Sequence, residues 1–225
     1  RTPKGTWLLL KEKLPNGPVA EGIPVTTGKG IACIGGTDGK ADLSSAFLMG
    51  WDAKAGKTTF SPLPNFPKTI RMGAGAVDGS NLYVACGKQN GTVANGFYRL
   101  DLEHPEAGWT ELPPVPGVPR EQPVAGIAQD AQGRPTFYIF GGNGLQADGS
   151  QVALTDGYAY TLEPGSWSPA PPVQPANFSE AVSLLGAAAV VRTGSPGGAG
   201  RWLLCEGGFN KEVWDEACRQ IARRK

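Results

Sequence analysis

A unit built from a double glycine and later aromatic residues recurs along this chain of 225 residues. In its clearest copy, an apolar run ends at Gly141-Gly142, and Tyr158, Tyr160 and Trp167 follow. Glycine has no Cβ, so a strand that ends there can approach a neighbouring backbone closely. Tyrosine and tryptophan combine a large apolar body with one polar group, which suits them to fix one sheet against the next. The unit therefore predicts a fold of repeated, stacked sheets.

The same landmarks return at regular intervals. The final glycines of the four copies are 51, 55 and 66 residues apart, at Gly36, Gly87, Gly142 and Gly208. A period near fifty residues, with a double glycine followed by Tyr and Trp, resembles the kelch blade of a β-propeller. We therefore predict an all-β, kelch-type β-propeller, with about three to four blades in this chain.

The order of the repeats suggests how the chain is divided. We predict a single partial propeller over residues 1–225. An open ring would expose two unpaired sheet edges, so we expect this to be an N-terminal portion of a larger propeller that is inactive by itself. We predict that residues 1–15 form a clasp strand, that is, an N-terminal strand that completes the last blade and so closes the ring. The blades follow at 16–67, 68–117 and 118–175, and an incomplete blade with a helical insertion follows at 176–225.

Charge and composition exclude several classes of function. Lys and Arg number 21 against 20 Asp and Glu, and the longest basic run is Arg223-Arg224-Lys225, so we expect no nucleic-acid partner. No apolar stretch approaches the roughly 18 residues that span a bilayer, so we expect no membrane partner. The single histidine, His104, argues against a copper site built from several imidazoles, and we predict no metal and no cofactor. No signal peptide is present, although the chain begins at Arg1 without a methionine, and the oligomeric state stays open.

Three stretches are more specific than the repeat itself, namely 33–40 (Cys-Ile-Gly-Gly-Thr-Asp-Gly-Lys), 119–122 (Pro-Arg-Glu-Gln) and 207–214 (Gly-Gly-Phe-Asn-Lys-Glu-Val-Trp). Together they resemble the N-acetylneuraminate epimerase (sialic acid mutarotase) family, a six-bladed kelch propeller that is usually periplasmic. The order of the blades is similar to the cyclically permuted branch of that family. Glu121, Phe209 and Trp214 stand where the family has Asp, Val and Phe.

The resemblance implies a mutarotase that interconverts the anomers of N-acetylneuraminate, a small sugar acid, in the periplasm or outside the cell. It also implies that the family's leading acid–base pair, a Glu and an Arg of the fourth blade, lies beyond Lys225. The alternative function is a non-catalytic kelch module that binds another protein. An enzyme would gather charged and amide groups at the channel, whereas a binding module would expose an apolar patch on its rim.

The candidate site follows from the chemistry of mutarotation, in which a base takes the proton of the anomeric hydroxyl and an acid protonates the ring oxygen. Loops at the blade starts and after the double glycines gather at one mouth of the channel. We predict Arg120 and Glu121 as the functional pair, with a structural ion pair at the blade start as the alternative. Arg71 is the preferred ligand for the sugar carboxylate, because arginine can bind it bidentately. The other expected substrate-binding residues are Gln122, Asn143, Asn177, Asn210, Lys211 and Glu212.

Overall fold

Nearly all of the regular structure is β-strand. The computed structural model describes residues 9, 12–173, 183–193 and 201–207. These residues contain one short 3-10 helix, Pro105–Ala107, and no helix long and apolar enough to cross a bilayer. The strands in chain order are β1 (Ile23–Thr27), β2 (Gly30–Ile34), β3 (Ala46–Asp52), β4 (Lys57–Leu63), β5 (Ile70–Arg71), β6 (Ala74–Asp78), β7 (Asn81–Ala85), β8 (Lys88–Gln89), β9 (Thr92–Val93), β10 (Phe97–Asp101), β11 (Thr110–Leu112), β12 (Arg120–Glu121), β13 (Val124–Gln129), β14 (Pro135–Phe140), β15 (Asn143–Leu145), β16 (Gln151–Ala153), β17 (Gly157–Thr161), β18 (Ser166–Ala170), β19 (Ala188–Thr193) and β20 (Arg201–Glu206).

Three antiparallel sheets of four strands follow one another along the chain. The first blade is β1-β2-β3-β4, the second is β6-β7-β10-β11, and the third is β13-β14-β17-β18. Strands β19 and β20 form a two-stranded sheet after them. The dipeptide Asp78-Gly79, which is typical of a β-hairpin turn, joins β6 to β7: Asp78 pairs with Asn81, and Gly79 has a φ of 58°.

The first strand of each sheet lies innermost. Strand β1 contacts β6, β6 contacts β13, and β13 contacts both β19 and β20. These first strands surround a central cavity of about 390 Å³, whose lining includes Val25, Ala76, Ala125 and Ala189. Consecutive sheets therefore stand side by side around one axis, as the blades of a β-propeller do.

Apolar side chains join each blade to the next. Between the second and third blades, Phe97 lies against Phe137, Tyr160 and Trp167, with ring centroids 5.0, 5.0 and 5.2 Å apart. Aromatic pairs of this geometry stabilise a fold by roughly 0.5–1.5 kcal/mol each beyond the burial of their area. Phe97 and Phe137 are fully buried, so this cluster is the centre of the contact between the two blades.

The tryptophans of the repeat also make a polar link between blades. The indole Nε1 of Trp109 donates to the carbonyl of Pro64, 3.0 Å away, and that of Trp167 donates to the carbonyl of Pro113, 2.8 Å away. Each bond runs from the outer strand region of one blade to the end of the preceding blade. The predicted role of the recurring aromatic residues, fixing one sheet on the next, is confirmed.

Two predicted segments fall wholly or partly outside the described residues. The helical insertion expected after Gly208 lies outside them. Of the clasp strand expected at 1–15, the structure describes residue 9 and residues 12–15, and these are not in a strand. The clasp and the blade boundaries stay predictions.

Candidate functional site

A small antiparallel sheet stands at the same end of each blade, where the chain enters the blade and where its second strand ends. In the second blade this sheet is β5-β8-β9, and in the third blade it is β12-β15-β16. In the first blade two bridges, Ala20 with Thr37 and Thr37 with Asp42, take the same places. We call these the mouth sheets. In register, Ala20, Arg71 and Glu121 are equivalent, and so are Thr37, Lys88 and Asn143.

The final glycine of each repeat lets the mouth sheet form. Gly36, Gly87 and Gly142 have φ values of 100°, 83° and 96°, a region that side chains disfavour. A Cβ at these positions would lie 2.7, 2.5 and 2.7 Å from the carbonyl oxygens of the equivalent residues Ala20, Arg71 and Glu121. The residue after each glycine is therefore held directly opposite the start of its own blade.

A chain of backbone hydrogen bonds links the starts of successive blades at this end. Glu21, Met72 and Gln122 each lie two residues before the first strand of their blade, and all are left-handed, with φ of 59°, 55° and 55°. The amide of Met72 donates to the carbonyl of Glu21 (2.9 Å), and that of Gln122 donates to the carbonyl of Met72 (2.6 Å). Gly186, also left-handed, donates in turn to Gln122 (3.4 Å). This backbone chain fixes successive blade starts to one another.

Arg71 is the centre of a charged cluster between the first and second blades. Its Nη1 donates to the Glu21 carboxylate, and its Nε lies 3.0 Å from Asp42 Oδ1. The Arg71 side chain is 19% exposed, so it is largely shielded from water. Its hydrogen bond with Glu21, together with the charge of Asp42, raises the pKa of Arg71, and the guanidinium stays charged. Two carboxylates thus share one cation.

Sulfur and amide groups continue the cluster towards the third blade. The Sδ of Met72 lies 3.9 Å from Arg71 Nη1 and 3.8 Å from Gln122 Nε2. On the third mouth sheet, Asn143 Nδ2 donates to Glu121 Oε1 over 3.4 Å. The structure therefore brings four of the predicted site residues, Arg71, Glu121, Gln122 and Asn143, to one end of the channel.

The walls of the channel carry fewer charged and amide side chains than its mouth. The cavity between the first strands is lined mostly by small or apolar residues, such as Val25, Gly75, Ala125 and Gly126. In the described part of the chain, the charged and amide groups gather at the mouth sheets instead. Binding of a polar molecule is therefore expected at the mouth.

Comparison with known proteins identifies the family. The family model of N-acetylneuraminate epimerase matches residues 63–224, which is more than half of the chain. The chain belongs to the N-acetylneuraminate epimerase family. N-acetylneuraminate epimerase 1 of Escherichia coli O6:H1 (strain CFT073) is 27% identical over 139 residues, 62% of this chain and 35% of the relative. N-acetylneuraminate epimerase of Haemophilus influenzae (strain PittEE) is 32% identical over 136 residues, 60% of this chain and 33% of the relative.

A solved structure supports the fold. The structure of YjhT covers 72% of this chain and 41% of its own, with a TM-score of 0.51 and 24% sequence identity. The prediction of an all-β, kelch-type β-propeller is confirmed. The chain spans about a third of the length of the curated N-acetylneuraminate epimerases above. How it fits into a longer protein stays a prediction.

One predicted role needs correction in this member of the N-acetylneuraminate epimerase family. Arg120 is fully buried. It donates two bonds to Asp156, Nη1 to Oδ1 (2.8 Å) and Nη2 to Oδ2 (2.9 Å). It also donates to the carbonyls of Gly141 (3.2 Å) and Val118 (3.3 Å). A fully buried side chain is not open to a substrate, so Arg120 has a structural role. Its ion-pair partner is Asp156, however, and not Glu121 as in the predicted alternative.

The remaining site predictions divide by where they fall. Asn177, Asn210, Lys211 and Glu212 lie outside the described residues. Three charged mouth residues were not among the predicted site residues, namely Glu21, Asp42 and Lys88. Aligning the repeats on the final glycine could have found Lys88, since it follows Gly87 as Asn143 follows Gly142. Asp42 carries no such signal, because its ion pair with Arg71 of the next blade depends on the fold.

Proposed function

We propose that the protein containing this chain is a carbohydrate mutarotase that interconverts the anomers of N-acetylneuraminate by acid–base ring opening and closing. The observation that carries the proposal is the match of the N-acetylneuraminate epimerase family model to residues 63–224. The relatives that carry this name are longer than the chain, so the activity belongs to the whole protein. We propose a periplasmic or secreted location on the same resemblance.

The mouth sheets offer the kinds of groups that this reaction needs. Glu121 is a partly exposed carboxylate that can accept or return a proton, and Asn143 holds one of its oxygens. The amide side chains of Gln122 and Asn143 can bond sugar hydroxyl groups. In this proposal Arg120 is a positioning residue, since its buried bonds to Asp156 hold the strand that carries Glu121.

The residues of the mouth sheets form one part of the proposed active site. The family resemblance implies a further Glu and Arg beyond Lys225, and Asn210, Lys211 and Glu212 stay predicted ligands. The mouth sheets would then bind and orient the sugar, while the acid–base work is shared with residues outside the chain.

The experiment is one-dimensional proton NMR of freshly released α-anomer of N-acetylneuraminate, with and without the full-length protein. The protein is expected to accelerate equilibration between the anomers. Unchanged kinetics would overturn the enzymatic proposal and leave the alternative of a non-catalytic kelch module.

Glu121→Gln is expected to slow the catalysed exchange by about 100-fold, because proton transfer by a positioned group contributes at least that much. Glu103→Gln, which removes an exposed carboxylate away from the mouth sheets, is the matched control.

A further inference from the structure

Lys88 occupies a repeated position at the mouth of the channel. It begins β8 directly after Gly87 and pairs in register with Arg71 on β5. The Gly87 amide donates to the carbonyl of Arg120 over 2.8 Å, so the backbone before Lys88 is tied to the next blade. Its equivalent on the third mouth sheet, Asn143, contacts Glu121 across the same kind of pair. The backbone that carries Lys88 is therefore fixed on two sides.

Directly opposite residues of an antiparallel pair project from the same face, with Cβ atoms roughly 4.5–5.5 Å apart. The Lys88 side chain therefore leaves the sheet on the face that carries Arg71. Two residues with cationic side chains are therefore neighbours on one face of the mouth sheet, and like charges directly opposite each other destabilise a sheet.

The two cations differ in how they are neutralised. Arg71 has two carboxylate partners, Glu21 and Asp42. Lys88 is half-buried, and among the described residues its ammonium group has no ion pair or hydrogen-bond partner. An ammonium group has three donors to satisfy. Among the residues that the structure describes, the mouth thus holds one lysine without an anionic partner and, opposite it in the sheet, one arginine with two.

From this arrangement we infer that Lys88, rather than Arg71, binds the carboxylate of the sugar acid. The inference rests on the proposed function and assigns one subsite within it. A bound carboxylate would supply Lys88 with the anion that it does not find among the described residues. Arg71, held by Glu21 and Asp42, then shapes the pocket wall, since an added carboxylate beside it would meet two negative charges.

The test compares two ligands that differ in one charge. Dissociation constants for N-acetylneuraminate and for its uncharged methyl ester are measured by calorimetry on the full-length protein. Lys88→Gln is expected to weaken binding of the acid about tenfold or more, as loss of a charge-assisted bond does, and to leave the ester unchanged. Lys88→Arg is expected to retain most of the affinity for the acid. Lys54→Gln, at an exposed turn of the first blade away from the mouth, is the matched control.

The outcomes separate this inference from the proposed function. If the wild-type protein binds the acid and Lys88→Gln binds it equally well, the carboxylate subsite is elsewhere and the inference is overturned. The same holds if Lys88→Gln weakens the acid and the ester alike. If the wild-type protein binds neither ligand, the proposed function fails and the inference fails with it. Thermal unfolding of each variant checks that the fold is intact.

Discussion

The buried ion pair between Arg120 and Asp156 gives the sharpest test of how the third blade is held. We expect Asp156→Ala to destabilise the protein by about 3 kcal/mol. Removing one partner of a buried pair costs roughly 3–5 kcal/mol, because the remaining charge is left uncompensated. The Asp156 side chain is 39% exposed while that of Arg120 is fully buried, so water can reach the vacated position and the lower end applies.

The assay is equilibrium unfolding in urea. With a slope of about 2 kcal/mol per molar, a loss of about 3 kcal/mol lowers the midpoint by about 1.5 M at an unchanged slope. The control is Glu111→Gln, which removes the charge of an exposed pair with Lys68 (3.9 Å) but keeps an acceptor for Tyr98. It is expected to cost less than about 1 kcal/mol.

A double variant tests the cause of the effect. When Arg120→Met is added to Asp156→Ala, the stranded charge is removed, so the combined loss should be smaller than the sum of the two single losses. Strict additivity would show that the charge is not the source. An Asp156→Ala midpoint as close to wild type as that of Glu111→Gln would refute the assignment of a structural role to this pair.

Three further predictions follow from single contacts. Trp167→Phe keeps most of the ring packing but loses the bond to the Pro113 carbonyl, so it should lower the free energy of unfolding in urea by about 1 kcal/mol; no change would mean that the bond contributes nothing. Gly87→Ala places a Cβ against backbone 2.5 Å away at a φ of 83°, so the melting temperature should fall, and a stable variant would contradict the account of the repeat glycines. Asp101, whose own pKa is lowered to about 2, raises the pKa of His104. The stabilisation from this pair is complete below the ordinary histidine pKa of about 6.5 and is lost as pH rises through the raised value. NMR titration of this single histidine should show the raised pKa, and Asp101→Asn should lower that pKa towards its ordinary value, with Glu103 and Glu106 accounting for any remaining rise.

The repeat made the architecture predictable from the sequence alone. Local signals sufficed, because a glycine that must be left-handed, a turn such as Asp78-Gly79 and an aromatic residue at a fixed offset act through near neighbours. The blades and the links from Trp109 and Trp167 follow from these signals. Family membership was likewise visible in short motifs of the chain.

The site was harder to predict from the sequence, because its contacts join residues that are far apart along the chain. Nothing local distinguishes Arg120, which is buried against Asp156, from Arg71, which meets two carboxylates at the mouth. Their partners lie between 29 and 50 residues away in sequence. The partners of Arg71 belong to the preceding blade and that of Arg120 to its own blade, so only the folded chain selects them. The order of residues therefore indicated which groups reach the mouth end of the propeller, and the folded structure decided which of these charges have an ion-pair partner among the described residues.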